Sequence, residues 1–232
     1  MCGRYSLHSN PHFVALQFGL VHPPQFAARY NVAPGTPVLA VRGEPSHART
    51  GLMLQWGLIP SWAKDASISH RLINARAEHL AEKPSFRNAF RRRRCIIPAD
   101  GFYEWSVVNG RKQPYYVRPR GQTMFGFAGL YEYWKGPEGL IGSCTVITTA
   151  ANEVMRPLHE RMPVILQVAD YAHWLDPEHP DPNSLVAMLH PAPSDKMIAY
   201  PVNPRVNSVK NDDARLIDAY DPPSGAAESS LL

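Results

Sequence analysis

The sequence predicts an α+β fold built mainly of twisted antiparallel strands that form a barrel-like core flanked by short helices. Three observations point that way. Twenty-three prolines and fifteen glycines are spread along 232 residues, which suits short strands and turns better than long helices. The middle of the chain is dense in aromatic and β-branched residues arranged in short runs. Strand-like and helix-like segments follow one another without a βαβ rhythm, which argues against a parallel α/β sheet. With 44% hydrophobic residues, residues 1–220 can form one domain around a sizeable core. Residues 221–232, DPPSGAAESSLL, read as a flexible tail.

In chain order, residues 10–20 read as a short amphipathic helix capped by Ser9 or Asn10, with Phe13, Leu16, Phe18 and Leu20 as most of its apolar positions. After a proline-rich loop, TPVLAVR and GLMLQWGLIP read as strands. The second alternates Leu52, Leu54 and Trp56 on one face until Pro60 stops it. ARAEHLAEK and PSFRNAFRRRR have helical character; Ser85 is the expected cap of the second, and Arg91–Arg94 its solvated end, where cations suit the helix dipole. RCIIP, GFYEWSVV, QPYYVR, MFGFAGLYEYW and SCTVITT then read as the antiparallel core, with Asn109-Gly110 a hairpin signal. PVIL, two short helices near ADYAHWL and NSLVAML, and a last strand MIAYPVN complete the reading.

Composition bounds the function. Cys2, Cys95 and Cys144 are too few and too widely spaced for a disulfide framework or a zinc knuckle, so a reducing compartment is expected. No window approaches the apolar length of a membrane span, and no basic stretch precedes an apolar run at the start. A soluble, cytoplasmic protein without metal or cofactor is the expectation. The net charge of +4 favours a polyanionic partner without demanding one.

The chain opens MCGRY, and a cysteine near a terminus can be incidental. Once Met1 is excised, however, Cys2 carries a free α-amine beside its thiol. An α-amine has a pKa near 7.7 to 8.0 against about 10.4 for lysine, so at neutral pH about a tenth is uncharged and nucleophilic. Such an amine attacks an aldehyde to give an imine, and the thiol then closes a five-membered thiazolidine. An internal cysteine, whose nitrogen is an amide, cannot do this.

Three further stretches could carry chemistry. NARAE sets Asn74, Arg76 and Glu78 at alternate positions; they share one side of an extended segment, or Asn74 is a simple helix cap, the reading favoured on this stretch alone. GFYEW places Glu104 among aromatic residues, either as a poorly solvated acid–base group or as a solvent-facing strand residue. HERMP offers His159 and Arg161 but lacks the second histidine of a zinc motif. His70 precedes NARAE closely enough to note. Trp56 and Trp62 flank Pro60 and could stack on bases, with core packing the expected fate of Trp56.

Taken in order, MCGRY, RYNVAPGTPV, WGLIPSWAKD, INARAE, RRCIIPADGFYEW, HERMPVIL and VNSVKND resemble the SOS response-associated peptidase (SRAP) family from residue 2 to about residue 217. The resemblance implies a sensor of abasic sites in single-stranded DNA, cross-linked to the lesion through a Cys2 thiazolidine and nucleoid-associated when bound. It implies Cys2 as nucleophile, Asn74 positioning the amine or sugar, Glu104 as general acid and base, and His159 as proton donor. Arg4, Arg76 and Arg161 match positions that hold phosphates, Pro34 and Trp62 positions that pack on bases, and Thr148 a further DNA contact. The family name adds a peptidase activity, including removal of residues before Cys2, and the imine chemistry allows a lyase activity. Two other readings compete: a thiol peptidase using Cys2 and His159, and a passive single-strand binder. A monomer is expected.

Overall fold

The computed structural model describes residues 2–108, 110–121, 123–178 and 181–222. Its strands are β1 (Tyr5–Leu7), β2 (Arg29–Val32), β3 (Pro37–Gly43), β4 (Arg49–Trp56), β5 (Asn74–Arg76), β6 (Arg94–Ala99), β7 (Gly101–Val108), β8 (Arg111–Pro119), β9 (Phe125–Gly136), β10 (Gly139–Ala150), β11 (Arg161–Pro163), β12 (Ile165–Leu166) and β13 (Met197–Pro201). Four short helices, α1 (Pro11–Phe18), α2 (Arg87–Arg92), α3 (Tyr171–Leu175) and α4 (Pro182–Ala187), lie between them. The Asn109 half of the hairpin signal and residues 223–232 of the expected tail lie outside the described residues. The register Val108↔Arg111 still joins β7 and β8 as a tight antiparallel pair.

Five strands close on themselves in the order β10, β4, β3, β6, β9 and back to β10. All contacts in this ring are antiparallel except β10 with β4, which run parallel. The result is a mixed five-stranded barrel, and closure removes the exposed edges that an open sheet would present. Every residue of β6 is buried, so this strand reads as a continuous apolar run rather than an alternating one.

A second sheet, in the order β13, β8, β7, β1, β2, packs on the barrel. Tyr5 of β1 meets Trp56 and Phe127 edge-on, at centroid distances of 5.4 and 5.8 Å, and Phe102 of β7 meets Phe127 at 6.0 Å. These edge-to-face aromatic pairs add specific geometry to the area they bury. On another side α1 and α3 close over β9 at Gly126, where a Cβ would stand 2.3 Å from Ile96. Phe18 of α1 and Tyr171 of α3 stack there at 5.4 Å.

Four local expectations are corrected. In α1 the buried residues are Val14, Ala15 and Phe18, while Phe13 and Leu16 are exposed; the helix starts at Pro11 under an Asn10 cap, which turns a different stripe inward. Strand β4 ends at Trp56, before Pro60, because Gly57 leaves it with φ of 129°. Helix α2 begins after Phe86 without a side-chain cap from Ser85. Nor is its arginine run a purely solvated end: Arg94 opens β6, is buried, and donates to the carbonyls of Phe90, Arg91, Trp174 and Asp176, while Arg93 pairs with Glu132 at 2.6 Å.

Candidate active site and nucleic-acid interface

Strand β10 leads to the site. Along Gly139–Val146 it pairs with β9, and at Ser143 and Cys144 it also pairs with β4; both belong to the barrel. Past Val146 its neighbours change to β5 on one edge and β11 on the other. This three-stranded extension brings together Asn74 and Arg76 on β5, Thr148 on β10 and Arg161 on β11. Asn74–Arg76 is therefore a strand and Asn74 no cap, made so by the pairing Asn74↔Val146 and Arg76↔Thr148, and the helix expected over ARAEHLAEK shrinks to a 3₁₀ turn at Ala77–His79.

The chain start lies where this extension meets the second sheet. Tyr5 and Ser6 pair with Phe102 and Gly101, and the N–H of Tyr103 donates to the Arg4 carbonyl at 2.9 Å, so the first residues run antiparallel along β7 towards Glu104. Asn74 crosses from the other sheet and donates its amide to the Cys2 carbonyl at 2.9 Å. Cys2 is fully buried and Glu104 nearly so, which removes the solvent-facing reading of Glu104. Burial pushes the Cys2 thiol far above its ordinary range, with the Glu104 carboxylate adding to the shift and the backbone N–H of Arg4 opposing it.

Arg4 is held by a clasp that the sequence alone did not disclose. Its guanidinium donates to the Asn31 side-chain oxygen at 2.8 Å and to the Val206 carbonyl at 3.0 Å, and it lies 5.9 Å from the Trp105 ring centroid. Burial lowers its pKa. Asn31, fully buried, donates to the carbonyls of Val206, Ser208 and Asn211. Asp212 returns the contact, accepting from the backbone N–H groups of Tyr30 and Asn31 and from Arg29. No local pattern in RYNV or VNSVKND relates these residues, which lie some 180 positions apart.

Arg161 is gripped from two sides. Its two terminal nitrogens each reach a Glu78 carboxylate oxygen at 2.9 Å, and one also donates to the Thr148 carbonyl at 2.6 Å. Thr148 itself is fully buried, with its carbonyl on Arg161. The Arg161 N–H donates to His159 Nδ1 at 2.9 Å, which makes Nε2 the proton-bearing nitrogen of the neutral ring. His159 is half-buried, and Arg76 is exposed.

The remaining expected contacts, Trp62 and Pro34, lie in loops. Trp62 is 56% exposed, and its indole N–H reaches the Pro84 carbonyl at 3.4 Å. Pro34 is half-buried in the turn before β3, where the next residue, Gly35, bonds the Trp56 carbonyl at 2.7 Å. Pro34 and Trp62 therefore occupy loops at the same end of β4. Trp56 is core, with its indole N–H on the Ile73 carbonyl. His70 is exposed at the end of a 3₁₀ turn.

A profile of the family described as SOS response associated peptidase (SRAP) matches residues 1–209. The chain belongs to the SRAP family. It is 44% identical over 225 residues to the abasic site processing protein YoqW of Bacillus subtilis, covering 95% of this chain and all of that one. It is 30% identical over 218 residues to the abasic site processing protein HMCES of Xenopus tropicalis, covering 81% of this chain and 64% of that one. The crystal structure of a Bacteroides thetaiotaomicron protein superposes with a TM-score of 0.84 at 26% identity, covering 94% of this chain and all of the other. The family expected from the seven sequence blocks is the one found, and the SRAP fold is the α+β barrel observed. Among the described residues, no helix is long and apolar enough to cross a membrane.

Proposed function

We propose that this SRAP protein captures abasic sites in single-stranded DNA by forming a thiazolidine between Cys2 and the exposed sugar aldehyde, and so protects the lesion during the response to DNA damage. One observation carries the reading: a fully buried cysteine at position 2, held by Asn74 through its carbonyl and lying within the electrostatic reach of the buried Glu104. The names of the relatives, abasic site processing proteins, support the substrate class.

The steps balance as follows. With Met1 removed, the Cys2 α-amine adds to the C1′ aldehyde of the open deoxyribose, and loss of water gives the imine. Glu104 takes a proton from the attacking nitrogen and returns it to the departing hydroxyl. When the sugar opens, the C1′–O4′ bond breaks, the C1′ hydroxyl proton passes to water and O4′ takes one from water, while the His159 Nε2–H hydrogen-bonds O4′ as charge develops on it. The thiol sulfur then bonds to the imine carbon, its proton passes to nitrogen, and the five-membered ring is closed. The same imine is the species from which β-elimination would cut the strand, so ring closure diverts a lyase path into a stable adduct.

A buried thiol, whose ionisation burial disfavours, suits this order, in which the amine attacks first. It suits a thiolate peptidase poorly, because attack on an amide needs the ionised sulfur. The test is incubation with an abasic single-stranded oligonucleotide followed by denaturing electrophoresis, with the N-terminus verified by mass spectrometry. A heat-stable adduct is expected from the wild type and from neither Cys2→Ala nor an intact oligonucleotide. An equal adduct from Cys2→Ala would overturn the reading.

A further inference from the structure

Glu78 belongs to no step above, yet it makes the most complete side-chain contact at the site's mouth. Its two carboxylate oxygens cover both terminal nitrogens of Arg161 at 2.9 Å. Arg161 Nε is buried and has no hydrogen-bond partner among the described residues. The inner edge of the guanidinium is therefore closed to a ligand, and the only edge that can meet a phosphate is the one Glu78 occupies. The Arg161 side chain is 12% exposed and that of Glu78 47% exposed, so the carboxylate sits on the solvent side of the pair. Carboxylate and phosphate present the same two-oxygen geometry to a guanidinium.

We propose that Glu78 is an internal stand-in for a DNA phosphate, occupying the Arg161 fork in the free protein and yielding it when a strand arrives. This rests on the reading of Arg161 as a phosphate-holding residue. The Thr148 carbonyl, 2.6 Å from Arg161, keeps the guanidinium in place while the carboxylate leaves. Glu78 follows Arg76 by two residues and leaves the end of β5 on a single 3₁₀ turn, so its side chain can swing outward without moving a strand. Two functions follow. Arg161 is pre-oriented for a planar, bidentate partner, and every strand that binds must first displace a competing anion, which lowers affinity for incidental polyanions.

The test measures binding of an intact fluorescent single-stranded oligonucleotide by anisotropy, so that no covalent step enters. Glu78→Gln is expected to bind about fivefold tighter, the scale of an exposed ion pair. Glu78→Asp keeps the charge but shortens the reach, and should tighten binding about twofold; a pure charge effect would leave it unchanged. Glu82→Gln, a control at a 77% exposed carboxylate nearby, should shift affinity by less than about 1.5-fold. In an Arg161→Gln background the gain from Glu78→Gln should vanish. A gain that persists there, or unchanged or weaker binding by Glu78→Gln, overturns the proposal. If Arg161→Gln weakens binding while Glu78→Gln fails to strengthen it, the phosphate reading stands and this inference alone falls. If Arg161→Gln leaves affinity unchanged, both fall.

Discussion

The pocket around Cys2 and the rim around Arg161 are built on opposite plans. Cys2 and Glu104 are buried where two sheets meet, and the Cys2 carbonyl is held by the Asn74 amide. Arg76 and Trp62 lie exposed, and Arg161 keeps its outward edge under a half-exposed carboxylate. Low dielectric in the first region tunes which groups carry protons. Water and salt in the second keep each contact weak and exchangeable. Under the proposed function the contrast would separate capture from search, with bond-making chemistry sheltered and recognition reversible.

The sharpest way to break that division is at Cys2. Cys2→Ser retains the α-amine, so we expect complete loss of the heat-stable adduct but retention of one trapped by borohydride. Its reversible affinity for intact DNA should match the wild type; a fall in that affinity would show that the two regions are not separate. Next in size, Glu104→Gln should slow imine trapping about a hundredfold, within the range of positioned acid–base groups, with affinity unaltered. Stopped time courses at saturating oligonucleotide measure this.

At the rim the effects invert. Trp62→Ala should weaken binding about tenfold, as loss of a stacking ring does, while the cross-linking rate at saturation is preserved. Arg76→Gln should weaken affinity for all sequences alike and make the slope of log K against log salt shallower by about 0.7, one single-strand phosphate contact. A slope equal to the wild type would take Arg76 out of the interface.

The smallest effect concerns stability. Pairing with Arg161 lowers the Glu78 pKa in the folded state. The pair therefore stabilises the fold above the unfolded carboxylate pKa near 4.3, and that contribution is lost as pH falls through the lower folded value. Because Glu78 is half exposed, screening keeps the contribution below about 1 kcal/mol. Wild type and Glu78→Gln should melt slightly apart at neutral pH and together in strong acid.

The strands from β6 to β10 were legible because aromatic and β-branched runs report a pleated, buried surface directly. Closure of the barrel was not, since the parallel contact of β10 with β4 joins residues such as Cys144 and Trp56 that no local pattern relates. The same limit explains NARAE. Its three strand residues acquire their conformation from β10, about seventy residues away, and locally they look like a cap. Helix α1 was located correctly but its inward stripe was not, because exposed Phe13 and Leu16 satisfy the same periodicity as the buried set. The burial of Cys2 had no local signal, and neither had the meeting of Glu78 with Arg161.

The clasp on Arg4 has a consequence in time. Its hydrogen bond to the Val206 carbonyl spans 202 residues, and Asn31 and Asp212 knit the same two ends. During synthesis Arg4 leaves the ribosome 202 residues before the carbonyl that holds it. Contacts of such separation form late and slowly. If Cys2 has the role proposed above, its reactivity would follow the folding of the chain through Asp212 and not the synthesis of the first strand.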